Sequence, residues 1–168
     1  MKIFRDVFSN DELLADTFPI ETIDEVVLKV KGKMTTVTVG IDDALIGGNA
    51  SAEGAGDEGA DDSSVSGINV VMNHKLVSAP MGKKDYMKYI KKYMAKLKAY
   101  LTENKPEEVP VFEKNMAVFI KRVLGNYDDY EQYIGESFHE DSMMPLCSWD
   151  GETPYFYYFK HGLIEEKV

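Results

Sequence analysis

Two hydrophobic periods alternate along this chain, a period of two near each end and a helical period through the middle. At the start, KIFRDVF places Ile3, Arg5 and Val7 on one side of a strand and Phe4 and Phe8 on the other. The next segment, SNDELL, carries a helix-start signal. Ser9 or Asn10 can cap, and Asp11 and Glu12 stand where the positive end of a helical turn favours acids. Pro19 limits that helix to a turn or two. VVLKVKG and MTTVTVG are rich in β-branched residues and predict two strands with KGK as the hairpin turn between them. GINVVMNHKLV predicts another strand.

From about Lys83 to Thr102 the period changes. Tyr86, Ile90, Tyr93, Leu97 and Leu101 form one apolar helical face, and Lys84, Lys88, Lys91 and Lys92 fall on the opposite one. NKPEEVP is a connector in which Pro106 and Pro110 exclude a continuous helix. Phe112, Met116, Phe119, Ile120, Val123, Leu124 and Tyr127 mark a second helix, stopped by Gly125-Asn126. Two amphipathic helices with a short link predict an antiparallel hairpin over about 83–126. YEQYIGESF, MMPLCSW and PYFYYFKHGLIEEKV return to strand patterning, with Asp150-Gly151 as a hairpin turn between the last two. Strands, two helices, then strands define an α+β fold with a helical insertion.

Length and composition narrow the class. With 168 residues and 44% apolar content, one domain over 1–168 is expected. Cys147 is the single cysteine, so no internal disulfide forms and a reducing compartment is indicated. Charges at Arg5, Asp6, Asp11 and Glu12 interrupt any signal-peptide core, and no window approaches the ~18 apolar residues of a membrane span. A cytoplasmic protein is expected. The net charge of −10 argues against nucleic acid as a partner. That charge is segregated. Between Lys33 and Lys75 there are seven acids and no Lys or Arg, whereas Lys83 to Lys105 holds eight lysines and two acids. The stretch IDDALIGGNASAEGAGDEGADDSS, at 41–64, lies inside the acidic region and predicts a mobile acidic loop over about 42–66.

Each candidate chemistry has to be weighed against a plainer role. Cys147 could act as a nucleophile only with a base and a cationic setting, and His74, His139 and His161 form no recognisable Cys/His pattern with it. Its apolar strand context predicts a buried, inert thiol. No Cys/His spacing suits structural zinc. Asp42, Asp43, Glu53, Asp57, Glu58, Asp61 and Asp62 offer hard oxygens without calcium-loop spacing, so only weak, screened attraction for calcium is expected, with no assignable ligand set. The IGGN glycines lack the Gly-Lys-Ser/Thr of a phosphate cradle. The lysine face is a solvated surface, a dock for acidic peptide tails or, as a poorer third reading because Tyr86, Ile90 and Leu97 are needed inside, a membrane-surface contact. Ser63 and Ser64 follow Asp61 and Asp62 in a pattern that acidophilic kinases accept.

IGGNASAEG, at Ile46–Gly54, resembles the first signature of the translationally controlled tumour protein family, also called histamine-releasing factor or fortilin. The likeness extends along the chain through RDVFSNDELLADTF, VVMNHKL, YMKYIKKYMAKLKAYL, NKPEEVP, YIGES and DGETPYFYYFKHGLIEEK. It implies a β-tent with a projecting helical hairpin and a long mobile acidic loop, a fold related to nucleotide-free chaperones of Rab GTPases and to methionine sulfoxide reductase B. It further implies a non-enzymatic cytosolic growth and survival factor that binds calcium, tubulin and the GTPase Rheb and needs no cofactor. Glu12 occupies the family position associated with the GTPase contact, where a helix-start charge is expected to matter little for stability. The alternative from the related fold is reductase-like or chaperone-like activity. In the signature, Gly47 and Gly48 allow unusual backbone shapes, Asn49 and Ser51 can bond nearby amides, and Glu53 closes the motif. Ala44 stands at a family phosphoserine position, Pro19 and Glu21 interrupt a segment likened to a pro-apoptotic helix, and Val168 replaces a terminal Cys linked to dimers, so a monomer is expected.

Overall fold

Both the first alternating segment and the one after it are strands. In the computed structural model, which describes residues 1–38 and 64–168, β1 (Lys2–Asp6) pairs antiparallel with β2 (Glu12–Ala15) and with β11 (Leu163–Lys167), in the order β11-β1-β2. The helix start expected at Ser9–Glu12 is therefore corrected to a hairpin turn. Its polar side chains satisfy the turn instead of capping a helix. Phe8 N–H donates to Asp6 Oδ1 (2.8 Å), Asp11 N–H donates to Ser9 Oγ (3.2 Å), and Asn10 takes φ +66°. Leu13, Leu14 and Ala15 are buried in consecutive positions, which a strand packed on both faces permits.

A larger antiparallel sheet runs in the order β3-β4-β10-β9-β8-β7. Its strands are β3 (Ile20–Ile23), β4 (Val27–Lys31), β7 (Val77–Ser78), β8 (Glu131–Ile134), β9 (Leu146–Asp150) and β10 (Thr153–Phe159). The Asp150-Gly151 turn joins β9 to β10 as its sequence indicates, with Asp150 opposite Thr153 and Gly151 at φ +66°. KGK, by contrast, is not a hairpin turn. β5 (Met34–Thr38) pairs with β6 (Ser64–Ile68), not with β4. Gly32 marks the crossing: its N–H donates to the Pro154 carbonyl (2.8 Å), and a Cβ there would meet Asn69, Ile68 and Pro154 at 3.3 Å each.

Two further expectations change here. Residues 64–66 belong to a paired strand, so the acidic loop cannot extend to 66. The signature residues Gly47, Gly48, Asn49, Ser51 and Glu53, the acids from Asp42 to Asp62, and Ser63 lie outside the described residues. GINVVMNHKLV is not one strand: β6 ends at Ile68, α1 (Asn69–His74) follows, and β7 comes after. Val70 and His74, four residues apart, are the buried face of α1. Asn69 Oδ1 accepts from Lys33 N–H (3.0 Å) and Val70 N–H (2.8 Å), and Lys75 at φ +53° closes the helix.

α2 (Lys83–Asn104) and α3 (Val109–Gly125) form the expected antiparallel hairpin. Pro110 lies in the first turn of α3, where a missing N–H costs nothing. All five α2 stripe residues are buried, as are Phe112, Met116, Phe119 and Val123 of α3. They cover β10: Tyr93 lies 5.6 Å from Phe159, and Phe119 lies 6.0 Å from Tyr157, ring centre to ring centre. Tyr158 Oη donates to the Leu13 carbonyl (2.9 Å), joining the two main sheets. Gly162 completes this packing, because an added Cβ would overlap the Tyr93 hydroxyl and stand 2.7 Å from Met143 Cε. Gly162→Ala is expected to cost about 1–3 kcal/mol by overpacking, read as a melting point several degrees lower in calorimetry. An unchanged melting point would mean that the helix and Met143 shift freely.

Candidate functional site

Glu12 begins β2, and its side chain is neither fully free nor part of a helix start. Its Oε2 lies 2.9 Å from Nδ1 of His74, the last residue of α1. The Glu12 side chain is 39% exposed, whereas that of His74 is 0% exposed. Phe18 stands edge-on to the imidazole at 5.8 Å. Among the described residues His74 Nε2 has no hydrogen-bond partner. Burial holds the imidazole below its ordinary value of 6.5, against the opposing pull of the Glu12 charge and hydrogen bond. The ring is thus neutral at pH 7 and donates Nδ1–H to the carboxylate.

The depressed value fixes a pH dependence. An unfolded chain binds a proton at His74 more readily than the folded one, so this contribution to stability is complete above pH 6.5 and declines as pH falls below it. His74→Asn removes the titrating group. Between pH 7 and 5.5 its melting temperature is expected to fall less steeply than that of wild type. Parallel profiles would rule His74 out as the source.

The four candidate lysines, Lys84, Lys88, Lys91 and Lys92, are all exposed on α2, opposite its buried stripe, as the helical period predicts. None of them enters an ion pair among the described residues, whereas Lys96 pairs with Asp141 and Lys98 pairs with Glu113 (3.0 Å). Beside the row, an apolar groove of about 470 Å³ runs between α2 and α3, with Ile90, Met94, Met116 and Ile120 in its walls and Lys91, Lys98 and Lys121 among its lining residues. Ser64 opens β6 opposite Thr38.

Cys147 is fully buried in β9, and burial, reinforced by the Glu131 charge, pushes its thiol up to about 12. No thiolate is available at neutral pH. Its candidate bases are engaged elsewhere. His74 is bonded to Glu12, His161 Nε2 lies 2.9 Å from Glu108 Oε1, and His139 Nδ1 accepts from Asp141 N–H (3.1 Å). Among the described residues no group of three or more His, Cys, Asp or Glu side chains is gathered as a metal site, and no helix is long and apolar enough to cross a membrane.

The sequence offers His74 only as a base for Cys147, whereas the structure pairs it with Glu12. The available signal was the four-residue spacing of Val70 and His74, which places the ring on the buried side of a short helix.

Comparison with known proteins agrees with the motif order. The family model described as translationally controlled tumour protein matches residues 1–164. The translationally-controlled tumor protein homolog of Lumbricus rubellus is 52% identical over 168 residues, covering all of both chains. The Homo sapiens protein of that name is 45% identical over 171 aligned positions, covering 99% of each. The solved structure of the translationally controlled tumor-associated protein from Schizosaccharomyces pombe superposes with a TM-score of 0.83 at 43% identity and full coverage of both chains. The Caenorhabditis elegans member gives 0.71 at 28% identity, covering 100% of this chain and 99% of that one. With both the family model and the relatives aligned along nearly its whole length, this chain belongs to the translationally controlled tumour protein family.

Proposed function

We propose that this protein is a non-enzymatic cytoplasmic interaction protein that promotes growth and survival by binding partners through charged surfaces. Its lysine row on α2 takes the acidic, disordered tails of tubulin, and Glu12 contacts a Rheb-like small GTPase. The observation that carries the reading is the row itself: four exposed lysines on one helix without an ion pair among the described residues, next to two lysines that do have one. A cationic row suits a flexible anionic chain, because contacts of this kind are fast, weak and salt-dependent. Calcium binds weakly, drawn by the acids of the 42–62 region, and no cofactor is needed. Phosphorylation at Ser63 or Ser64 adds roughly −1.5 to −2 charge to that region and weakens binding of acidic partners.

The reductase-like alternative is disfavoured by Cys147, whose buried, protonated thiol donates, among the described residues, to the Ser148 carbonyl (3.9 Å). A peroxide-coupled turnover assay on Cys147→Ser checks this: equal, negligible rates in both proteins are expected, and a loss of measurable wild-type turnover would restore the enzyme reading. For the lysine row, co-sedimentation with microtubules at low and high ionic strength is the test. Binding is expected at low salt and not at high salt.

A further inference from the structure

The geometry points to His74 as the positioning residue for the Glu12 contact: it never meets the partner, and it holds the Glu12 carboxylate in the orientation the partner receives. This rests on the proposed GTPase contact at Glu12. Glutamate is a long side chain that loses rotamer freedom on binding unless it is fixed beforehand. Here one carboxylate oxygen is fixed, at 2.9 Å from Nδ1 of a ring with no exposed side-chain surface.

The ring in turn has little freedom of its own. His74 closes α1, which is fastened at its other end by Asn69 to the Lys33 amide and ended by Lys75 in the left-handed region. Phe18 packs edge-on against it. With Nε2 enclosed and lacking a partner among the described residues, the Glu12 bond is the polar interaction that orients the imidazole. The pair spans 62 positions of sequence, so α1 and β2 hold a partly exposed acid in place through a buried base. The arrangement matches a general rule of site construction, that a contact group is held by a second residue locked by packing.

The test separates positioning from mere support. In asparagine the amide nitrogen is bonded to Cγ, as Nδ1 is in histidine, so His74→Asn keeps a donor facing Glu12. His74→Phe keeps the ring volume and removes the donor. GTPase affinity is measured for wild type, Glu12→Gln, His74→Phe and His74→Asn, each with its folded fraction determined. His74→Phe is expected to bind roughly three- to tenfold more weakly, the scale set by ordering one freed side chain at an interface. His74→Asn is expected to recover wild-type affinity within about twofold on the same scale. Nitrogen-resolved NMR of the wild-type imidazole is expected to report the neutral tautomer protonated at Nδ1.

If Glu12→Gln weakens binding but folded His74→Phe does not, or if Asn fails to restore it, positioning by His74 is overturned and the Glu12 contact stands. If Glu12→Gln has no effect, the contact reading fails and the inference fails with it. An Nε2-protonated tautomer in the free protein overturns the positioning role whatever the binding data show, because Nδ1 then has no proton to donate and its insertion beside Glu12 is unexplained.

Discussion

Glu12→Val is expected to lose GTPase binding and to lower the melting temperature, by about 2–8 °C if a buried donor without an acceptor costs about 1–2 kcal/mol. Glu12→Gln is expected to lose much of the binding while melting within about 2 °C of wild type, in line with other exposed substitutions. The difference between the two variants comes from His74. Valine leaves the Nδ1–H without its acceptor, on a ring that has no exposed side-chain surface in the wild-type fold. Glutamine keeps a carbonyl oxygen for that N–H and removes only the charge. Read from sequence alone, Glu12 is a helix-start charge worth a few tenths of a kcal/mol, and its removal should leave stability alone. The structure reverses that expectation, because Glu12 lies on a strand and partners a buried ring. Equal melting temperatures for the two variants would mean that the Glu12–His74 bond contributes nothing.

The second large effect concerns the lysine row. Changing Lys84, Lys88, Lys91 and Lys92 together to Gln is expected to abolish microtubule co-sedimentation at low salt without altering the fold. Gln is about as good a helix former as Lys, and all four positions are exposed, so each change is expected to stay within about 0.5 kcal/mol. Binding falls because the attraction is a sum over the row. Deleting residues 54–63 is expected to strengthen wild-type binding, since it removes Asp57, Glu58, Asp61 and Asp62, whose charge opposes an acidic tail. The deletion stops at Ser63 because Ser64 is already paired opposite Thr38. If the quadruple variant still pellets with microtubules, the apolar groove between α2 and α3 becomes the contact to test.

The helical hairpin was legible because its period is sustained: five stripe positions over the 22 residues of α2 leave a single buried face. The Asp150-Gly151 turn was legible because it is a local matter of one positive φ. The misread segments are those where neighbours decide. SNDELL carries capping residues that serve a hairpin turn equally well, and only the pairing of β2 with β1 settles which. NVVMNH is β-branched enough for a strand, yet it turns helical where Asn69 binds Lys33 and where Val70 and His74 find a buried surface. KGK lies between two strands that pair elsewhere, a matter of topology that no local pattern contains. The site divided the same way. The lysine row followed from helical spacing, but the Glu12–His74 pair did not, because it joins two elements 62 positions apart.

If this protein recognises an acidic chain through charge, as proposed, its affinity must depend on salt. The most direct measurement is the affinity of the wild-type protein for tubulin across ionic strength, with the quadruple lysine variant alongside. Screening shortens from ~10 Å at 0.1 M to ~3 Å at 1 M salt, so wild-type affinity is predicted to fall steeply over that range while the variant stays weak throughout. Wild-type affinity that holds constant from 0.1 M to 1 M would contradict it.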